Sequence, residues 1–251
     1  MSRSNPNIKN PATRFFQWRG GEEGGGRVEY YDKATETSID VKLPFTFLVL
    51  DELNTVSGFS QAEKSSFWSN EVRNITKDTL TVKTSGGTKG IGVWGQLGDL
   101  KAKGAKYAKS LYIAFKDETG EFAIGNIKLM GTALSAWIEF QKNVDVDQCA
   151  VMITDVPKKD KNGVNVYFTP VFEAREVSKE TDNEAKVLDV TLQAYLSSYL
   201  NRDPDEGVQY ATTADELDEE DEVETVEPPA ETKSKDVSSD DDIPLKNIPF
   251  N

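Results

Sequence analysis

The sequence predicts a mainly β protein of the α+β class, built around a five-stranded Greek-key barrel. Short segments that alternate apolar and polar residues recur between residues 14 and 172, with turn residues between them. A short helical pattern falls between the third and fourth barrel strands, and a longer one follows the last strand. A hydrophobic content of 37% and an aromatic content of 10% supply the side chains for one sizeable core.

An N-terminal hairpin is predicted ahead of the barrel. Aromatic residues are frequent in segments 14–19 and 27–31, and the glycine-rich segment 20–26 separates them, a pattern typical of two strands joined by a turn. Neither a Lys-Ser/Thr pair nor a long apolar helix follows the glycines, as a phosphate-binding loop would require. We therefore interpret the glycines as a flexible hairpin tip.

One long strand is predicted over residues 39–50, bent at Pro44. Residues on both sides of this proline follow a strand pattern, but proline cannot donate to a sheet ladder. From residue 51 to residue 77 the pattern is lost, because Ser, Asn and Gly are scattered around a few aromatic residues. The sequence therefore predicts an extended loop with a short helical turn there, held to the body by an aromatic side chain.

Four short strands are predicted next, at 80–84, 91–95, 110–116 and 121–129. The last two flank an Asp-Glu-Thr-Gly turn and form the clearest hairpin in the chain. Between the second and the third, residues 97–109 fit a helix only weakly, since Gly98 and Gly104 interrupt the pattern.

Two helices and one more hairpin complete the prediction. Residues 132–142 place apolar side chains near a helical period, and segments 148–154 and 164–172 fit two strands joined by a polar turn. Residues 179–200 form the longest predicted helix, whose apolar stripe caps the sheet or binds a partner helix. The stripe consists of Leu188, Leu192, Tyr195, Leu196 and Tyr199.

This order of elements is that of the OB-fold, a five-stranded Greek-key barrel, with a helix between its third and fourth strands. We expect an OB-fold-like domain over residues 1–201, extended by the N-terminal hairpin and the C-terminal helix. Another small β-barrel or a sandwich would fit the same strands. The aromatic residues assigned to the core are Trp137, Phe140, Phe168 and Phe172.

The charge of the chain is concentrated at its end. The formal net charge is -14, and residues 201–251 hold 17 acidic and 4 basic side chains, whereas the first 200 residues hold 26 and 25. A run of like charges has too little apolar surface to offset the entropy lost on folding. The sequence therefore predicts a disordered acidic tail over residues 202–251.

Two segments of the body are basic. Residues 1–20 contain four basic side chains and no acidic one, and residues 72–116 contain nine basic side chains against Asp78 and Asp99. Basic surface next to an anionic tail can bind a polyanion and can also be covered by that tail. Ordinary solvated lysine-rich loops are the alternative interpretation.

The residue inventory excludes several classes of site. Histidine is absent, so Ser-His and Cys-His dyads and the common zinc sites cannot form. The one cysteine, Cys149, lies in an apolar run and can form no internal disulfide, which fits a reducing compartment. With no signal-like leader and no apolar stretch of membrane length, we expect a soluble, cytoplasmic protein without a cofactor.

Carboxylate chemistry is the remaining catalytic option. Asp145, Asp147 and Asp155 are the only tight acidic group of the body, and a metal-dependent nuclease would need such a cluster. These residues flank a predicted strand, where acidic side chains are ordinary solvated turn residues. We therefore expect a binding protein rather than an enzyme.

Aromatic residues are interleaved with the basic ones. Proteins that hold single strands without reading sequence combine a cationic groove with aromatic faces on which bases stack. In the strand 111–116, alternation directs Tyr112 and Lys116 away from the core. The predicted DNA-binding residues are Trp18, Arg19, Trp68, Arg73, Lys77, Lys83, Trp94, Lys101, Lys103, Lys106, Tyr107, Lys109, Tyr112 and Lys116.

The end of the tail carries a motif. Three aspartates precede an Ile-Pro pair, and a second Ile-Pro pair follows with a phenylalanine. This ending resembles the tail of bacterial single-stranded DNA-binding proteins, which finish in acidic residues and Ile-Pro-Phe. Here Asn251 follows the phenylalanine and Lys246 lies between the two copies. The matching residues are Asp240, Asp241, Asp242, Ile243, Pro244, Ile248, Pro249 and Phe250.

A barrel with such a tail also resembles the single-stranded DNA-binding proteins of phage replication. The resemblance implies a sequence-nonspecific protein of bacteriophage DNA replication, recombination or repair, acting in the cytoplasm of a bacterial host cell. In those families the tail competes with DNA for the basic groove and recruits replication proteins such as a polymerase, helicase or primase. A homo-oligomer is left open, and the alternative function is a DNA-mimicking interaction protein whose tail occupies a host nucleic-acid enzyme.

Overall fold

The computed structural model describes residues 8–155, 158–161 and 165–201 of the chain. These residues are mostly β, as predicted, and form one large mixed sheet, a small two-stranded sheet and a long C-terminal helix. The predicted tail, 202–251, lies outside the described residues. None of the helices in the described part of the chain has both the length and the apolar character needed to cross a membrane.

The predicted N-terminal hairpin is confirmed. Strand β1 (Arg14–Arg19) pairs antiparallel with β2 (Arg27–Asp32), and β3 (Thr37–Asp40) pairs with the other edge of β2. Phe16 and Tyr30 lie opposite each other across β1 and β2, and both side chains are buried in the main core. The hairpin is therefore part of the core rather than an appendage.

Strand β4 (Phe45–Ser60) is the centre of the sheet and differs from its prediction at both ends. It begins after Pro44, because proline has no N–H to continue a ladder. It then continues to Ser60 and pairs with β5 (Ser65–Ser69), so the prediction of a loop from residue 51 is wrong as far as residue 69. The polar residues that suggested a loop, such as Thr55 and Ser57, lie on the side of β4 that faces away from the main core.

The next strands complete one end of the sheet. Strand β6 (Leu80–Thr84) pairs with β5 and with β7 (Gly87–Gly92). A 3-10 turn at Trp94–Gln96 and the short helix α1 (Gly98–Lys101) follow. Only one helical turn therefore forms where the weak helix pattern was seen.

The predicted central hairpin is confirmed as β8 (Ala105–Lys116) and β9 (Phe122–Met130). Strand β8 lies between β4 and β9, and β1 pairs parallel with the other edge of β9. The strand order of the large sheet is β3-β2-β1-β9-β8-β4-β5-β6-β7.

Helix α2 (Gly131–Gln141) forms between β9 and the next strand, as predicted, and buries Trp137 in the main core. Strand β10 (Ala150–Asp155) then pairs with the start of β4. Of the other aromatic residues assigned to the core, Phe140 and Phe172 pack against it while partly buried, whereas Phe168 belongs to none of the core clusters.

The predicted hairpin of segments 148–154 and 164–172 is wrong in its pairing. Strand β10 pairs with β13 (Val171–Arg175). Strands β11 (Lys158–Lys161) and β12 (Asn165–Phe168) pair with each other in the small sheet. The segment between β10 and β13 thus forms its own hairpin, because its residues alternate too briefly to specify a register with β10.

Helix α3 (Lys179–Leu200) covers part of the sheet through the predicted apolar stripe. Its buried side chains pack on Leu53, Tyr112 and Ile124. These residues lie on the face opposite the main core, which is called the outer face from here on. The face packed against α2 and the main core is the inner face.

The sheet does not close into a barrel among the described residues. Strand β13 pairs only with β10 there, and the edge of β9 that a fifth strand would close is taken by β1. The N-terminal hairpin therefore occupies the position at which closure of the predicted barrel would take place.

Candidate nucleic-acid interface

Four residues from neighbouring strands form one row on the outer face. Ser57 of β4 lies opposite both Lys106 of β8 and Trp68 of β5, and Trp68 lies opposite Lys83 of β6. Residues directly opposite each other in antiparallel strands point to the same face. Lys106, Ser57, Trp68 and Lys83 are therefore called the Trp68 row.

The geometry of the Trp68 row places an aromatic ring between two cations. Neighbouring strands lie about 4.8 Å apart, so Lys83 is one step and Lys106 two steps, about 10 Å, from Trp68. Trp68 and both lysines are partly exposed. Lys83 makes no ion pair with any residue in the described part of the chain, so its charge is available to an anion.

Two apolar residues that the sequence analysis did not select extend the row. Phe59, opposite Ser66, lies two residues beyond Ser57 on the same face and is partly exposed. Ile91 lies opposite Thr81, two residues before Lys83, and is 59% exposed. An aromatic and aliphatic platform thus borders the two lysines. The polar alternation of residues 55–60 was the signal that could have identified Phe59.

Two glycines bring β4 and the start of β8 together beside the row. Gly58 has φ +138 and Gly104 has φ +101, values that favour glycine. A Cβ atom on Gly58 would lie 2.1 Å from the carbonyl oxygen of Gly104. This close approach fixes the position of Lys106, two residues after Gly104, relative to β4.

Arg19 is also on the outer face, at the far side of β9 and β8. It lies opposite Arg27, and its Nε donates to Glu29 Oε1 at 2.7 Å. Four strand steps separate β1 from β5, which is about 19 Å. Arg19 is therefore paired with an acidic side chain and lies too far away to belong to the row.

Three of the predicted aromatic contacts are buried, so they are wrong as exposed stacking residues. Trp94 is 1% exposed, Tyr107 is 3% exposed and Tyr112 is 1% exposed. Trp94 and Tyr107 belong to the main core. Burial raises the pKa of Tyr107 to about 12, so its phenol stays protonated and donates to Asn54 Oδ1 at 2.7 Å.

Tyr112 points to the outer face, as alternation predicted, but α3 covers it. Its hydroxyl donates to Glu71 Oε2 at 2.8 Å, and burial raises the pKa of this phenol well above its ordinary value. Ser110 donates to the other carboxylate oxygen of Glu71 and accepts from Asn126 Nδ2 at 2.7 Å. The amide of Glu71 donates to the Tyr199 hydroxyl at 2.8 Å, which ties α3 to the end of β5.

Glu71 should make stability pH-dependent. Burial raises the pKa of its carboxyl despite the bonds from Ser110 and Tyr112. The contribution of the protonated Glu71 carboxyl to the free energy of unfolding is therefore complete at low pH. It is lost as pH rises from about 4.3, the ordinary glutamate pKa, through the raised pKa. We expect Glu71→Gln to lack this loss. Urea unfolding of the wild-type and Glu71→Gln proteins over a pH series measures this loss. Parallel pH profiles of their free energies of unfolding would contradict the prediction.

Besides Arg19, four of the predicted cations have acidic or aromatic partners. Arg73 Nη2 donates to Asp51 Oδ2 at 2.7 Å, and Lys109 pairs with Glu52 on the inner face. Lys101 Nζ lies 4.7 Å from the centre of the Trp94 ring, and Lys116 Nζ lies 5.2 Å from that of Phe122. Lys109 is on the wrong face for the Trp68 row because it follows Lys106 by an odd number of residues.

The remaining predicted residues lie elsewhere. Trp18 faces inward with Phe16, and its Nε1 atom is buried without a hydrogen-bond partner among the described residues. Lys77 and Lys103 are exposed in the loops before β6 and β8. Lys116 is ten residues from Lys106 along β8, or about 34 Å. The structure thus brings Trp68, Lys83 and Lys106 together and leaves the other predicted residues outside the row.

The described part of the chain ends near the Trp68 row. Tyr199, one residue before the end of α3, contacts Glu71, which follows Trp68 by three residues. The described chain ends at Asn201, and the acidic residues come after it. The tail motif lies outside the described residues, and its members are Asp240, Asp241, Asp242, Ile243, Pro244, Ile248, Pro249 and Phe250.

The acidic residues near β10 do not form a recognisable metal site. Within the part of the chain that the structure describes, no group of three or more Cys, Asp or Glu side chains could hold a metal ion. Asp147 has a raised pKa because of burial and the nearby Asp145, and Asp155 lies at the end of β10.

Comparisons of the chain with protein-family models, with curated proteins and with solved structures find no match. The chemistry of the Trp68 row and the charge layout of the chain therefore carry the functional interpretation.

Proposed function

We propose that this protein binds single-stranded DNA without sequence preference, in phage DNA replication, recombination or repair. The Trp68 row is the observation that carries the proposal, because it places one partly exposed stacking ring between two partly exposed lysines on the outer face of the sheet. Base stacking on an aromatic side chain is worth about 1–3 kcal/mol and tolerates every base. Cations on either side can contact the phosphates of the same strand.

The connectivity of the sheet supports an OB-like body. Strands β4, β8, β9, β10 and β13 follow one another with α2 between the third and fourth, and β4 pairs with both β8 and β10. These are the order and the pairings expected of the first four strands of an OB-fold. Strands β5 to β7 are then an insertion between the first two strands. This insertion contributes Trp68 and Lys83 to the proposed interface.

The position of α3 supports competition between the tail and DNA. Its last turn contacts Glu71 beside β5. Asp215, the first residue of the dense acidic run, follows Asn201 by 14 residues. A flexible chain of that length spans roughly 20 Å, which is enough to reach the Trp68 row. The Ile-Pro and Ile-Pro-Phe ending would then recruit replication proteins.

Titration with oligo-dT at low and high salt tests the proposal. We expect saturable binding that weakens with salt, because cations on the protein replace counterions on the phosphates. Deleting residues 202–251 should tighten binding, and so should a full-length variant with Asn and Gln in place of the acids of 215–224. Trp68→Phe should remove most of the change in tryptophan fluorescence.

Two outcomes would contradict the proposal. One is the absence of saturable, salt-sensitive binding by both the tail-deleted and the tail-neutralised protein. The other is tight binding of the full-length protein to a basic nucleic-acid enzyme together with no DNA binding by the body, which would favour the DNA-mimicking alternative.

A further inference from the structure

Among the described residues, three strands lie at the edges of the large sheet, and one of them, β7, carries fewer charged residues than β13 and no acidic one. Strand β3 carries Asp40 at its edge, and β13 carries Glu173 and Arg175. Strand β7 reads Gly-Thr-Lys-Gly-Ile-Gly and has one charged residue, Lys89. The Nζ atom of Lys89 lies 2.9 Å from Glu63 Oε2, so this charge is neutralised within the same chain.

The outer edge of β7 offers backbone groups for pairing. Within the described residues, β7 pairs only with β6, and no other backbone hydrogen bond involves Gly87–Gly92. Natural edge strands are commonly protected by charges, prolines or covering loops, because an open edge pairs with another strand. The edge of β7 has no proline, and its one charge, at the bulged residue Lys89, is paired with Glu63. Ile91 follows this bulge and is 59% exposed.

We propose that β7 is a self-association edge, at which two copies of this chain pair antiparallel with Ile91 opposite Ile91 of the second copy. In this register Gly90, Ile91 and Gly92 of one copy lie opposite Gly92, Ile91 and Gly90 of the other, so the backbone donors and acceptors of these three residues can pair. This register also buries the two most exposed apolar side chains of the strand against each other. Lys89 adds no like-charge repulsion at the paired edges, since in each copy it is paired with its own Glu63.

The size of the edge indicates a weak dimer. A strand of six residues buries less than the roughly 1,200 Å² that stable complexes need. Association should therefore be detectable at high protein concentration and should strengthen when two copies share one ligand.

The symmetry of the pairing connects it to the Trp68 row. A two-fold axis perpendicular to the sheet leaves the outer faces of both copies on the same side. Five strand steps, about 24 Å, then separate the two Trp68 residues across the sheet, and they are also displaced along the strands because Thr81, not Lys83, lies opposite Ile91. This consequence rests on the proposed function, whereas the pairing itself does not. On a DNA strand long enough for two copies, the paired arrangement predicts cooperative binding.

A cysteine cross-link tests the pairing and its register. Cys149 is the one cysteine of the chain, so Cys149→Ser with Ile91→Cys leaves position 91 alone to form a disulfide. Opposite residues in antiparallel strands lie within the Cα separation that a disulfide requires. The matched control is Thr88→Cys in the same background, an exposed residue of the same strand that lies about 20 Å from its own copy in this register.

We expect oxidised Ile91→Cys protein at high concentration to form at least about tenfold more disulfide dimer than the Thr88→Cys control, because only position 91 meets the disulfide geometry. Ile91→Lys should abolish dimer in sedimentation, while Val187→Lys, at a valine of α3 that is 69% exposed, should not. Equal cross-linking at both positions, or unchanged sedimentation of Ile91→Lys, would overturn the pairing.

DNA binding separates this inference from the proposed function. If wild-type protein binds short oligo-dT, binds long oligo-dT cooperatively, and cross-links through Ile91→Cys, both proposals are supported. If wild-type protein binds short oligo-dT and shows no cross-link and no cooperativity, the pairing is wrong and the function stands. Cross-linking without any DNA binding would leave the pairing supported and the proposed function wrong.

Discussion

Trp68→Ala is expected to weaken oligo-dT binding by roughly 5- to 150-fold, the equivalent of the 1–3 kcal/mol that a stacked base contributes. The side chain is partly exposed on the outer face, between Lys83 of β6 and Ser57 of β4. Its loss removes the ring and leaves the main core intact, since Trp68 belongs to none of the core clusters. Fluorescence anisotropy of a labelled oligo-dT measures the change.

Substitution of the two lysines of the Trp68 row should change how strongly oligo-dT binding depends on salt. Each phosphate contact contributes about 0.7 to the slope of log K against log salt for a single strand. Lys83→Ala and Lys106→Ala should therefore each reduce that slope by about 0.7. Trp68→Phe should retain much of the affinity, because a phenyl ring still stacks on a base.

The matched control for the row is Lys142→Ala. Lys142 is an exposed lysine just after α2, paired with Glu139 on the far side of the core. Its loss removes the same charge without touching the outer face, so affinity and salt slope should stay at the wild-type values. If Lys142→Ala weakens binding as much as Lys83→Ala does, binding depends on net charge and not on the Trp68 row.

Trp137→Ala is expected to destabilise the protein by about 3–5 kcal/mol, the usual cost of removing a large buried aromatic side chain. Trp137 is fully buried, and its ring contacts Phe172 at 5.1 Å and Phe140 at 5.7 Å between centroids. The indole N–H also donates to Glu52 Oε1 at 3.0 Å. The substitution therefore leaves a cavity and removes one donor from a partly buried carboxylate.

Urea denaturation measures this prediction. The midpoint should fall while the m-value is unchanged, because the surface exposed on unfolding is nearly the same. Trp137→Phe is the control that keeps a six-membered aromatic ring and loses the five-membered ring with its N–H. It should cost less, since Gln141 still donates to Glu52 Oε1 at 2.6 Å and Lys109 still pairs with Glu52. A loss below about 1 kcal/mol for Trp137→Ala would contradict a core role for α2.

Local patterns predicted the elements of this fold well where each element buries one clear face. The hairpin of β8 and β9 and the helices α2 and α3 all show that property. The prediction failed along β4, whose outer face is polar near residues 55–57. Thr55 and Ser57 are buried although they are polar, so the strand shows no apolar-polar alternation that a period of two would reveal.

The candidate site shows the same division. Composition identified Trp68, Lys83 and Lys106 as members of a basic, aromatic set, but nothing in the sequence separated them from Tyr112 or Trp94. Alternation correctly directed Tyr112 away from the inner face. Alternation could not show that α3, which begins 67 residues after Tyr112, would cover that side chain.

The amino-acid sequence alone established the mainly β class, the absence of histidine chemistry, and the separation of a nearly neutral body from an acidic tail. These properties depend on composition and on neighbours along the chain. Tertiary structure alone placed Lys106, Trp68 and Lys83 in one row. It also decided that Tyr107, Tyr112 and Trp94 are buried. Register between strands and burial under a distant helix depend on contacts between remote residues, which local periodicity does not encode.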